Sequence, residues 1–323
     1  MFIVKMSSLV EGDILLSSQK GLVSKSVRKF TSSNFSHAML YVGQGSYIHS
    51  DGNGVHSNNI QRLLFKQKEN IKVLRIKEGG FAEQASVFAR TQIGKEYSIK
   101  DAINTKNPLS KKMDSNKQFC SRLVAQAYEY SGLKLVQNSL YCTPQDLDNS
   151  HYTETIKNVS RIASEPEVKF ANSYNPLNSQ AEMTNEILKK IRELTKEDIQ
   201  SLGQVTELLI KSPEYDSKVA NFFKNSGYLN LWQYERRENT WRYDGNIFLS
   251  LPISIKEKKY RATMELKHST KRLELYKNNL EQYFYMMQTT HLEYAQLHFE
   301  LYKILVEQTL DNITSAKFVL KNI

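Results

Sequence analysis

Three side chains in the first half of the sequence have the types needed for nucleophilic acyl chemistry. Cys120 lies in QFCSRLVAQAY, His37 in FSHAMLYVG and His49 in SYIHSDG. The pattern after Cys120 predicts that the cysteine opens a helix. Helix N-terminal amides and the macrodipole favour an anion there, which draws a thiol toward the nucleophilic thiolate. Lys117 and Arg122 would add to that pull. His37 begins an apparent strand, and a histidine fixed on a strand can serve a nearby thiol as general base. If the strands carrying His37 and His49 pair as a hairpin, the two rings become neighbours. His49 would then fix the tautomer and orientation of His37. Each residue also has a plainer role. A lone cysteine packs as a small hydrophobe, and a strand histidine often serves as a structural hydrogen-bonding group. One cysteine and two histidines also suit zinc, but the sequence has no CxxC or HxxxH pair. No metal and no organic cofactor are expected.

The elements that must position these residues are short strands followed by helices. Apolar runs at residues 13–16, 38–42 and 46–49, a DGNG turn before Val55, and alternation over 71–76 predict a meandering antiparallel sheet. Helical spacing then covers 81–93 and 119–130, each stopped by glycine. Residues 105–118 read as a polar surface loop, and Thr143-Pro144 opens another short turn or helix.

In order and spacing, GDILL, SHAMLYVG, YIHSDGNGV, ARTQIGKEYS, FCSRLVAQAY and TPQDL resemble the circularly permuted branch of the NlpC-type papain-like hydrolases. YiiX-like bacterial proteins and the lecithin:retinol acyltransferase group belong to that branch. Its base precedes its nucleophile in sequence, as His37 precedes Cys120. The resemblance covers roughly residues 8–150 and nothing beyond 165. It implies an α+β fold, a permuted papain-like domain whose antiparallel sheet packs on helices. By position it makes Cys120 the nucleophile, His37 the base and His49 the third polar member, an arrangement like that of the acyltransferases. Tyr97 matches a tyrosine that lines the site, with a plain core aromatic as the equal alternative. Cys142 would be structural, His56 a surface residue, and Thr143, Pro144, Asp146 and Leu147 a packing element.

Composition bounds the rest. The chain has 323 residues, a formal charge of +10 and two cysteines, so a disulfide framework is excluded, although a single bridge is not. No secretory leader and no apolar run of membrane-spanning length are visible, so synthesis in the cytoplasm is expected, with a leaderless export route left open. The domain reading is 1–163 catalytic, 164–181 a polar linker with two prolines, and 182–323 a mainly α-helical accessory domain. Within the last, 183–210 reads as helix and 228–251 as aromatic-rich strand or irregular structure. Residues 253–323, without Gly or Pro, read as one long amphipathic helix or a helical hairpin.

The expected activity is acyl transfer through a Cys120 thioester. Lipid esters come first as substrates, as for a phospholipase or lipid acyltransferase, because the His-His-Cys set accompanies a basic amphipathic region suited to an anionic membrane surface. The alternatives are a cell-wall substrate, with cleavage of peptidoglycan stem peptides, and a cysteine peptidase acting on protein. A leaderless hydrolase with an added helical domain also resembles a bacterial effector or toxin, for which a cognate inhibitor protein would be a partner. Nucleic acid is not an expected partner, since the positive charge forms no recognition motif.

Overall fold

Strands Ile14–Ser17 (β2), His37–Tyr41 (β3), Ser46–Asp51 (β4), Gly54–Asn59 (β5), Ile71–Ile76 (β7) and Thr153–Ile156 (β8) build one antiparallel sheet in the order β5-β4-β3-β2-β7-β8. Phe2–Val4 (β1), Leu64–Phe65 (β6) and Ser160–Ile162 (β9) form a smaller antiparallel sheet, β6-β1-β9. These elements come from a computed structural model that describes residues 1–18, 35–103 and 116–323. Most of the expected loop 105–118 therefore lies outside the described residues.

Strand alternation assigns the two faces of the large sheet to two cores. Ile14, Leu16, Ala38, Leu40, Ile48, Val55 and Leu74 pack with Ala85 and Ala89 of helix Ala82–Thr91 and with Leu123, Val124 and Ala127 of helix Cys120–Tyr130. The opposite face presents Leu15, Met39, Tyr41, Tyr47 and Val73, which pack with Val4 and Phe65 of the small sheet. Each fully buried Leu, Ile or Val contributes about 1.5–3 kcal/mol of transfer free energy. A bidentate pair at the centre ties β7 to the turn before β2: Arg75 donates to both oxygens of the fully buried Asp13, at 2.8 and 2.7 Å.

The segment 164–181, read as a polar linker, is largely helical. It forms helix Glu165–Ala171 and the start of helix Pro176–Thr195. Its prolines sit in first turns, where a missing N–H costs nothing, behind the N-caps Ser164 and Asn175. Arg62 holds the junction by donating to the carbonyls of Phe170, Ser173 and Tyr174. The expected helix 183–210 is broken. Lys196 takes a left-handed φ of 61°, and a new helix, Leu202–Lys211, follows.

Two compact units result: Met1–Arg192 with Lys196–Gln204, and Glu193–Thr195 with Val205–Ile323. In the second, the aromatic-rich stretch is helical, with helices Leu231–Glu238 and Gly245–Ser250. The long C-terminal region is a hairpin of Ile255–Thr290 and Glu293–Lys321, turned at His291 with φ 57°. Asp216, from helix Asp216–Ser226, caps the second arm by accepting from the amides of Glu293 and Tyr294. Between the arms, His298 is buried among Phe223, Tyr228, Tyr283 and Tyr294. No helix among the described residues is long and apolar enough to cross a membrane.

Candidate active site

Cys120 is the first residue of its helix, and Phe119 before it is extended and offers no side-chain cap. The first-turn amides are therefore left for another acceptor. The Cys120 sulfur faces the backbone amides of Cys120, Ser121 and Ala38 and the Ser121 hydroxyl, and each of them favours the thiolate. Burial outweighs them and pushes the thiol up, because Cys120 is only 4% exposed. This corrects the expectation of a depressed thiol. The cations counted on nearby are engaged elsewhere. Arg122 pairs with the buried Asp101 and donates to the carbonyls of Leu140 and Lys117. The Lys117 ammonium pairs with Glu96.

The histidines are placed by strand register. Met39 lies opposite His49 across β3 and β4, so His37 and His49 are diagonal neighbours on one face. His37 Nε2 and His49 Nδ1 are 2.8 Å apart, with the rings edge to face. His37 Nδ1 takes no part in that contact. Because Ala38, the residue after His37, has its amide against the sulfur, thiol and ring start from adjacent backbone positions. Among the described residues no hydrogen bond joins the Cys120 thiol to the His37 ring. Burial lowers the His37 ring to about 4, opposed by the charge of Asp51 and reinforced by His56. His49 is pushed well below its usual range by burial, then by His37 and His56.

The register also brings in two residues that the sequence did not nominate. His49 stands opposite His56 and Asp51 opposite Gly54 across β4 and β5. The reading of His56 as a surface residue is thus overturned, for it is 5% exposed. The signal was present in the sequence. A tight turn over 51–54 returns the chain so that 49, 51, 54 and 56 share a face. Gly54 is needed there, since it has φ +83° and a Cβ would sit 2.6 Å from the Lys95 carbonyl oxygen. Tyr97 is bridged to Gln118. Its phenol is pushed up by burial and by the charges of Cys120 and Asp51. It also lines a cleft of about 500 Å³ between the 52–54 turn and Asn185, Lys189 and Arg192. Cys142 is buried, its thiol donating toward the Ser139 carbonyl at 3.7 Å, and both cysteines are free. Thr143 and Asp146 cap the short helix Pro144–Asp148 reciprocally.

Residues 8–165 match the family described as permuted papain-like amidase enzyme, YaeF/YiiX, C92 family. The first half of the chain is a permuted papain-like, YiiX-like domain. Such domains belong to a superfamily of cysteine-type hydrolases, and this sets the coarse class of the activity. A solved structure, described as the crystal structure of metalloprotein yiiX from Escherichia coli O157:H7, is 14% identical. The match covers 45% of this chain and 95% of that one, with a TM-score of 0.29, too loose a superposition to carry residue roles across. Among curated proteins nothing matches the sequence. The helix Pro176–Thr195, which walls the cleft beside Tyr97, lies beyond the YiiX-like match.

Proposed function

We propose that the YiiX-like domain is a cysteine amidase in which Cys120 is the nucleophile, His37 the general base and His49 the residue that orients it. The observation that carries this reading is the 2.8 Å bond between His37 Nε2 and His49 Nδ1, next to a cysteine whose sulfur rests on the Ala38 amide. With its proton on Nε2 and donated to His49, His37 presents a free lone pair at Nδ1.

As Cys120 Sγ attacks the substrate carbonyl, His37 Nδ1 takes the thiol proton and the carbon–sulfur bond forms. The uncapped first-turn amides support the developing oxyanion. His49 Nδ1 accepts from His37 Nε2–H throughout, and the charge of Asp51 favours the imidazolium. His37 then returns the proton to the leaving amine as the carbon–nitrogen bond breaks, leaving a thioester. Water, deprotonated by His37, opens the thioester, releases the acid and restores the thiol.

The same steps would open a lipid ester, the substrate that the sequence put first. The description of the matched family as an amidase moves the choice to an amide. The test is mass spectrometry of products from peptidoglycan fragments, peptides and phospholipid vesicles, with Cys120→Ala and His37→Ala as controls. Amine-bearing products that vanish in both variants support the amidase. Lysolipid and fatty acid alone would make it a lipase, and products that persist in either variant would end the mechanism.

A further inference from the structure

Asp51 and His56 have no direct part in the proton transfers above, yet they gather around His49. One donor atom from each of His49, Asp51 and His56 lies within 4.8 Å of the other two. The closest contacts to the carboxylate are 4.0 Å from His49 Nδ1 and 3.8 Å from His56 Nδ1. The His49 and His56 rings are 4.3 Å apart. His49 has a side chain only 9% exposed, and among the described residues its buried Nε2 has no hydrogen-bond partner. A buried ring nitrogen left unpaired is costly unless something binds it. His56 Nδ1 donates to the Gly54 carbonyl at 3.2 Å. This is the outer bond that usually fixes a metal-binding histidine and leaves its other nitrogen as ligand. Asp51 is 39% exposed, which provides an entry path and room for water to complete the coordination.

We propose that His49, Asp51 and His56 bind a divalent cation of the zinc class, and that the filled site switches the hydrolase off. Two histidines and one carboxylate form a donor set suited to a four-coordinate zinc ion with one open position. Inhibition follows from the single bond between the rings. A cation on His49 Nδ1 takes the lone pair that accepts from His37. A cation on His49 Nε2 puts the His49 proton on Nδ1, which must then donate to His37 Nε2. The proton of His37 moves to Nδ1, the nitrogen that has to accept from Cys120. On either nitrogen, metal binding and a base-ready His37 exclude each other. The inhibitory half rests on the proposed amidase mechanism, whereas the binding half does not.

The test uses the full wild-type chain titrated with Co²⁺, which reports its ligands spectroscopically, and then with Zn²⁺ in competition. The expected result is one equivalent per chain and visible d–d bands, without the sulfur-to-cobalt charge-transfer band of a thiolate ligand. Affinity should be kept in Cys120→Ala and fall at least about tenfold in His56→Gln and in Asp51→Asn. A sulfur band, binding lost in Cys120→Ala, or unchanged affinity in both His56→Gln and Asp51→Asn would overturn the site. So would no binding by the wild-type chain. Turnover unaffected by a bound equivalent would overturn the inhibition alone.

Discussion

Alkylation of Cys120 across the pH range distinguishes a neutral thiol–imidazole pair from a resting thiolate–imidazolium pair. The thiol stands above its ordinary 9.0, and His37 sits at about 4. Moving the proton from one to the other is uphill by more than about five pH units, about 7 kcal/mol. Even if the two charges came within about 4 Å, their attraction would return only about 4 kcal/mol at an effective dielectric of 20. The neutral pair wins, and the base must act during attack rather than before it. Below its pKa the thiolate fraction of a thiol rises tenfold per pH unit, so the rate should climb about 1000-fold from pH 5 to pH 8. The assay is timed iodoacetamide labelling in the presence of a chelator, with Cys120 and Cys142 resolved by peptide mapping. A flat rate for Cys120 between pH 5 and 8 would mean that the ion pair already exists, and would refute the desolvation argument.

Three further outcomes follow from the packing. His298 is buried and its ring is lowered to about 4 by burial, against 6.5 when exposed. The unfolded chain therefore binds the proton first, stability falls as pH falls from 6.5 toward 4, and the loss between pH 7 and 5 is about 2 kcal/mol. Both tryptophans, Trp232 and Trp241, lie in the second unit, so urea unfolding read by their fluorescence should show that loss in wild type and much less in His298→Gln. Equal losses would contradict it; the comparison is needed because His268 is lowered too. Asp101→Ala leaves the buried Arg122 without its carboxylate and should destabilise the first unit by about 3–5 kcal/mol. Urea-dependent thiol labelling reads this, since both cysteines lie in that unit. Gly54→Ala adds a Cβ at φ +83° against the Lys95 carbonyl and should cost about 1–3 kcal/mol by the same labelling; an unchanged midpoint would deny the close approach.

The sheet and the helix that carry Cys120, His37 and His49 were legible because alternation, glycine punctuation and a tight turn all signal at short range. The hairpin followed from strand periodicity, and register then decides which rings meet. Other features are set by distant residues. The depressed thiol was a reasonable inference from a helix start with Lys117 and Arg122 near in sequence. The folded chain spends those cations on Glu96 and Asp101 and buries the sulfur. Strands β1, β6 and β9 are two or three residues long, too short for periodicity to show. Pro166 and Pro176 suggested a linker, yet both stand in the first turn of a helix. His56 looked like a turn flank, and its burial depends on β5 returning beside β4.

The central claim is that Cys120 forms the acyl intermediate with His37 as its base. Rapid acid quench of a turnover reaction, followed by intact-mass and peptide mass spectrometry, tests it most directly. The account predicts an acyl adduct on Cys120 that accumulates and decays in wild type and fails to form in His37→Ala. An adduct on another residue, or undiminished Cys120 acylation in His37→Ala, would contradict it.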